Sequence, residues 1–210
     1  MELKNLKVNF LGDSITEGHG TTAPEKVFHQ VIKEKYGMEY AYNYGVGGTR
    51  IARQTSVSAD HKWDLYFALR AEIMDRSADA VVVFGGTNDY GHGDATFGTV
   101  DSEDIYTFCG AVNSLINKLK KDFPDSKIIF MTPLHRLEEN NPSGPDSKVL
   151  ADYADAIVEI CGRHGVPVID LFKINPLDPA DSELVPDGLH PSDKGHSIMA
   201  EVIGEELSKI

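Results

Sequence analysis

Two short runs in this chain, Val81-Val82-Val83-Phe84 and Ile128-Ile129-Phe130-Met131, are apolar at every position. Successive strand residues point to opposite faces, so a strand that does not alternate polar with apolar residues has to be covered on both sides. Helices packed on either face of a parallel sheet provide that cover, and the rest of the chain carries the pattern to supply them. Short apolar runs at Lys7–Leu11, Tyr40–Tyr44, Ala80–Phe84, Lys127–Met131 and Pro167–Asp170 alternate with helix-patterned segments at Pro24–Tyr36, Asp64–Asp75, Ser102–Phe123, Ser147–His164 and Ser192–Ser208. The alternation predicts one α/β domain over residues 1–210, with a five-stranded parallel sheet between two helical layers.

The helix boundaries carry matching chemistry. Within Ser102–Phe123 the apolar residues Ile105, Phe108, Cys109, Val112, Leu115, Ile116 and Leu119 recur at spacings of three and four, the signature of one buried helix face. Asp101 or Ser102, Ser147 and Ser192 are the expected N-terminal caps, while Gly37 and Gly165 fall just past helix ends, where a left-handed residue is wanted.

A chain of 210 residues can bury a sizeable core without disulfides or a structural metal. Its net charge of -13 disfavours nucleic acid and anionic membranes, because an acidic surface repels both. Only two cysteines, Cys109 and Cys161, are present, so no disulfide framework is expected. Lys4 and Lys7 interrupt the N-terminus where a signal peptide would need an apolar core, and no window approaches a membrane span. The expectation is a cytoplasmic protein, or a secreted one whose leader has been removed. A homo-oligomer is left open.

Open α/β sheets build their sites at the carboxyl ends of the strands. Gly12-Asp13-Ser14-Ile15-Thr16 follows the first strand, Gly47-Gly48 the second, Gly86-Thr87-Asn88-Asp89 the third, and Asp187-Gly188-Leu189-His190 the fifth. These loops contain the parts of a serine hydrolase. Ser14 is the nucleophile and His190 the base that takes its proton. Asp187, three residues earlier, orients the imidazole and stabilises its charged form. The backbone N–H groups of Ser14 and Gly48 and the amide of Asn88 are the candidate donors to the oxyanion. The choice of Gly48 rests on its spacing from Asn43, and Gly47 is the adjacent alternative.

These ordered blocks, together with Asn43 to Gly48, resemble the signature blocks of the SGNH hydrolases, also called the GDSL esterase/lipase family, across nearly the whole chain. The resemblance implies a flavodoxin-like fold with strand order 2-1-3-4-5 and an acyl-serine mechanism that needs no cofactor. It places Ser14, Gly48, Asn88 and His190 at the four residues that name the family, and Asp187 at its triad acid. Ile15 stands where the older name has leucine, and an inward-pointing side chain is expected there. The implied partner is a small-molecule ester, concretely an acetylated sugar. Other acyl esters and thioesters, and an inactive binding protein of the same fold, are the alternatives.

Asp13, Tyr90, His135 and Arg136 are the candidate substrate contacts, with His92 beside them; a loop-stabilising role is the alternative for Tyr90, His92, His135 and Arg136. Arg50, just past Gly48, is set to hold an anionic substrate group or to pair with a carboxylate. Trp63 is assigned to packing in preference to a sugar ring. Gly18-His19-Gly20-Thr21-Thr22-Ala23 fits a dinucleotide-binding fingerprint, but Gly12 to Glu17 separate it from the strand it should follow. The eight histidines show no metal-ligand spacing, and no metal site is expected. They read as solvated or capping residues.

Overall fold

The computed structural model describes residues 1–210. Five strands, β1 (Lys7–Gly12), β2 (Tyr40–Gly45), β3 (Ala80–Phe84), β4 (Lys127–Met131) and β5 (Val168–Ile169), form one parallel sheet in the order β2-β1-β3-β4-β5. Eight helices follow in chain order: α1 (Ser14–Glu17), α2 (Phe28–Tyr36), α3 (Phe67–Arg70), α4 (Thr87–His92), α5 (Phe108–Asp122), α6 (Leu150–Arg163), α7 (Leu171–Ile174) and α8 (Asp193–Lys209). Gly12 pairs with Gly45 on one side and Phe84 on the other, so β1, β2 and β3 end level at the edge where their loops meet.

Each non-alternating run serves two cores. Val81, Val83 and Phe130 join the cluster beneath α3, α5 and α6, while Val82, Phe84, Ile129 and Met131 join the cluster beneath α2 and α8. Ile15 points into the second cluster, as expected. Cys109 and Cys161 are buried, unpaired and members of the first.

Ser192 caps α8 by accepting the Gly195 N–H, and left-handed Gly37 closes α2. Four helix boundaries differ from the sequence pattern. Segment Pro24–Tyr36 opens with a separate 3-10 turn (Pro24–Lys26), and α2 begins only at Phe28. Segment Asp64–Asp75 is broken into a 3-10 turn (His61–Asp64), α3 and a second 3-10 turn (Ala71–Ile73), because its main chain bonds elsewhere. Leu65 C=O accepts from the Arg70 Nε–H at 2.8 Å, and Phe67 N–H donates to Arg50 C=O at 3.1 Å. Helix α5 starts at Phe108, capped by Thr107 rather than Asp101 or Ser102. The Asn113 amide holds the residues before it by donating to the carbonyls of Val100 and Ser102. Ser147 does not cap α6: it sits at φ 51° in a turn. The helix begins at Leu150, and Asp152 accepts the preceding Val149 N–H at 3.0 Å.

No helix is long and apolar enough to cross a membrane.

Candidate active site

Asp13 places Ser14 at the first position of α1. Its carboxylate accepts the Ile15 N–H at 3.1 Å, so the chain turns from β1 directly into a helix and carries the serine at the turn. As the first helical residue, Ser14 has an N–H with no intrahelical partner. Ser14 Oγ lies 3.0 Å from His190 Nε2, and His190 Nδ1 lies 2.7 Å from Asp187 Oδ2. The other oxygen of Asp187 accepts the N–H groups of Leu189 at 3.0 Å and His190 at 2.7 Å. Partial burial works to raise the pKa of Asp187, but these hydrogen bonds outweigh it and hold the carboxyl down at about 2. An ionised Asp187 fixes the tautomer: Nδ1–H donates to it, leaving the Nε2 lone pair facing the serine hydroxyl.

The turn carrying Asp187 and His190 is anchored from β4. Leu137 N–H donates to Gly188 C=O at 2.9 Å, and a Cβ on Gly188 would come within 2.4 Å of Leu137 Cδ1. On the solvent side the His19 ring lies 4.4 Å from that of His190. The fingerprint-like glycines form the turn that brings His19 there: Gly18 ends α1, and Gly20 packs against the Pro191 carbonyl. Helix α2 does not begin until Phe28, so this segment presents no glycine-rich helix N-terminus to a phosphate.

The two adjacent glycines have different environments. Gly47 N–H donates to Glu17 Oε2 at 2.8 Å and is therefore taken, whereas Gly48 N–H has no acceptor within the protein. Gly48 adopts φ +75°, and a Cβ there would lie 2.1 Å from Trp63 Nε1. Both the conformation and the tryptophan demand glycine at this position. Asn88, near the start of α4, donates from Nδ2 to Thr49 C=O at 3.0 Å, which commits one amide hydrogen and leaves the second.

Behind these groups lies a buried polar frame that sequence reasoning missed. Asp89 accepts the N–H groups of Ile51 at 3.0 Å and Ala52 at 2.9 Å, tying the chain after Gly48 to α4. Burial pushes Asp89 up to about 6 against those bonds and the nearby Arg50. Arg70 donates to Thr49 Oγ1 at 2.8 Å and to Tyr44 C=O. Asp89 lies within the third block and Arg50 just past Gly48, so proximity in sequence was the only available signal for them. Arg70, far from every block, offered none.

The proposed substrate contacts do not all reach the site. Asp13 is 2% exposed and is spent on capping α1. Tyr90 is 4% exposed, and its hydroxyl donates to the Glu138 and Asn141 carbonyls, which pins the loop after β4. Both nitrogens of His135 are occupied, by Glu139 at 2.7 Å and Phe172 C=O at 2.9 Å, with the ring stacked on Phe172. Arg136 donates to Thr87 Oγ1 at 3.2 Å and packs over Tyr90. These four shape loops around the site. Trp63 is half-buried, with its edge against Gly48, and is not packed into the core as expected. His29 and His196 are fully buried in place of being solvated, held by Thr16 C=O and Phe28 N–H respectively.

Comparison with known proteins places the chain among relatives of the same architecture. A curated acetylxylan esterase from Xylanibacter ruminicola is 27% identical over 220 residues, covering 96% of this chain, and the chain spans 43% of that relative's length. One solved structure, 31% identical, superposes with a TM-score of 0.85 over 100% of this chain and 99% of its own. Another, of a protein from Lactobacillus plantarum, is 26% identical with a TM-score of 0.82, covering 98% of each chain. A family model for GDSL-like lipases and acylhydrolases matches residues 10–198, a span that contains every loop bearing Ser14, Gly48, Asn88, Asp187 and His190. The chain belongs to the GDSL-like lipase/acylhydrolase family.

Proposed function

We propose that the protein is a serine esterase that removes short acyl groups, acetyl above all, from the hydroxyls of a carbohydrate. The observation that carries this reading is the unbroken relay from Ser14 Oγ through His190 to Asp187, at 3.0 Å and 2.7 Å, beside the unpartnered N–H of Gly48. His190 takes the serine proton as Ser14 Oγ attacks the ester carbonyl, and Asp187 stabilises the imidazolium. Negative charge developing on the carbonyl oxygen meets the N–H groups of Ser14 and Gly48 and the free amide hydrogen of Asn88. Collapse breaks the bond to the alcohol, which leaves with the proton from His190. Water, deprotonated by the same imidazole, then releases the acid from acyl-Ser14.

Support for an acetylated carbohydrate comes from the acetylxylan esterase relative and from the polar character of the loops around the site. The test is hydrolysis of p-nitrophenyl acetate, butyrate and octanoate by the wild type and Ser14→Ala. Turnover that falls with chain length and disappears in the variant is the expected result. Turnover independent of Ser14, or a preference for octanoate, would contradict the reading.

A further inference from the structure

A cavity of about 210 Å³ opens between residues 54–59, Trp63 and the end of α4. It lies outside the Ser14–His190–Asp187 relay, but two of its lining residues connect it to groups assigned to the oxyanion: Trp63 lies against Gly48, and His92 shares α4 with Asn88. Trp63 forms one wall, in contact with Gly48. His92 forms the next: it sits four residues beyond Asn88, hence on the same face of α4, and its ring leans on Trp63 at a centroid distance of 4.9 Å. Arg50, only 3% exposed, holds both walls in place. Its guanidinium donates to His92 Nδ1 at 3.1 Å, to Trp63 C=O at 3.3 Å and to Ser58 Oγ at 2.6 Å.

Two donors here have no acceptor within the protein. The Trp63 indole N–H makes no hydrogen bond; only the residue's main chain does. Arg50 is a permanent donor, so His92 Nδ1 must accept from it and the ring proton must sit on Nε2, where it too is unmatched. Desolvation of the ring and the adjacent Arg50 push His92 down to about 4, so it remains a neutral donor at physiological pH. The remaining lining mixes polar Gln54, Ser56, Ser58 and Asp94 with apolar Val57 and Ala59. The space far exceeds an acetyl methyl. A sugar ring suits it, with C–H groups for the indole and oxygens for the two donors.

We propose that this cavity is the subsite for the alcohol part of the ester: one pyranose ring packed against Trp63, its oxygens accepting from Trp63 Nε1–H and His92 Nε2–H. This assignment rests on the esterase reading and is tested so that the two can fail separately. Trp63 is the only tryptophan, so its fluorescence reports on the cavity directly. Ser14→Ala, titrated with xylose tetraacetate, should show a saturable change in Trp63 emission, weakened about tenfold when His92→Phe is added. In the active enzyme, Trp63→Phe and His92→Phe should each lower kcat/KM for xylose tetraacetate relative to ethyl acetate by about tenfold, since ethanol is too small to fill the cavity.

A flat titration alongside Ser14-dependent turnover of xylose tetraacetate would overturn the subsite. So would variants that slow both esters equally, which would make Trp63 a mere prop for Gly48. If neither ester is turned over through Ser14, the esterase reading fails and the titration alone decides: a saturable response retains a sugar site, and a flat one removes it.

Discussion

Glu17 and Gly47 are joined by a hydrogen bond of 2.8 Å from the glycine N–H to the carboxylate Oε2, and this bond leaves Gly48 as the free donor of the adjacent pair. Glu17 ends the short helix that begins with Ser14, so Ser14 and the glycine turn are fixed to one another. Glu17→Ala should free the Gly47 N–H and loosen the turn. A fall in kcat of roughly threefold to tenfold is expected, with KM little changed, because the lost order matters most in the transition state. Steady-state kinetics on p-nitrophenyl acetate check this, and an unchanged kcat would mean that Gly48 holds its position without Glu17.

Asn88→Ala removes the side-chain donor while leaving the relay intact. Loss of one oxyanion donor in a hydrolase typically costs on the order of 10²–10³ in kcat. The same range is predicted here, and a loss below about fivefold would remove Asn88 from the oxyanion site. Since Asn88 also bonds Thr49 C=O, the melting temperature should be measured alongside, to separate a catalytic loss from a structural one.

Asp187, held at about 2, stays ionised throughout the range in which the enzyme would be assayed. The acid limb of the pH–activity profile should therefore carry no contribution from Asp187. Asp187→Asn keeps the side chain's shape but loses the charge that fixes the tautomer, and should depress kcat by several orders of magnitude without unfolding the protein. Wild-type behaviour in this variant would assign the orienting role to another carboxylate.

Asp13 makes a prediction about stability. Burial pushes its carboxyl from 3.8 up to about 7, against the Ile15 N–H and the Arg70 charge. The folded state thus holds a proton that the unfolded chain has released, and folding stability falls as pH rises from about 4 through 7. Asp13→Asn keeps an acceptor for the Ile15 N–H and removes the charge. Its melting temperature should match that of the wild type near pH 4 and exceed it by on the order of 5 °C at pH 8. A difference that does not grow with pH would show that Asp13 is ionised without cost.

Much of this architecture was legible because it depends on local chemistry. The non-alternating runs at Val81 and Ile128 demanded cover on both faces, and each supplies alternate residues to two cores. Ser14, Asp187 and His190 could be named as candidates because a short turn at the end of β1 holds the first, and one turn just ahead of α8 holds the other two three residues apart. The broken segment around Phe67 was not legible, because its helical pattern is overridden by bonds outside a helical ladder: Phe67 N–H donates to the distant Arg50 C=O, and the Arg70 side chain takes Leu65 C=O. Tyr90, His135 and Arg136 lie in the loops where a substrate contact was expected. Their polar atoms are nevertheless spent on other loops, a pairing that sequence position does not encode. The adjacency of Trp63 and Gly48 depends on the fold of residues 50–64, and no spacing rule anticipates it.

The central claim is that Ser14 is the nucleophile, and reaction with a fluorophosphonate ester tests it most directly. The native protein should gain one phosphonyl group, mapped by peptide mass spectrometry to Ser14, and should lose esterase activity in step. Ser14→Ala should remain unmodified. Labelling that persists in Ser14→Ala, or a native protein that hydrolyses acetate esters while resisting the reagent, would contradict the account.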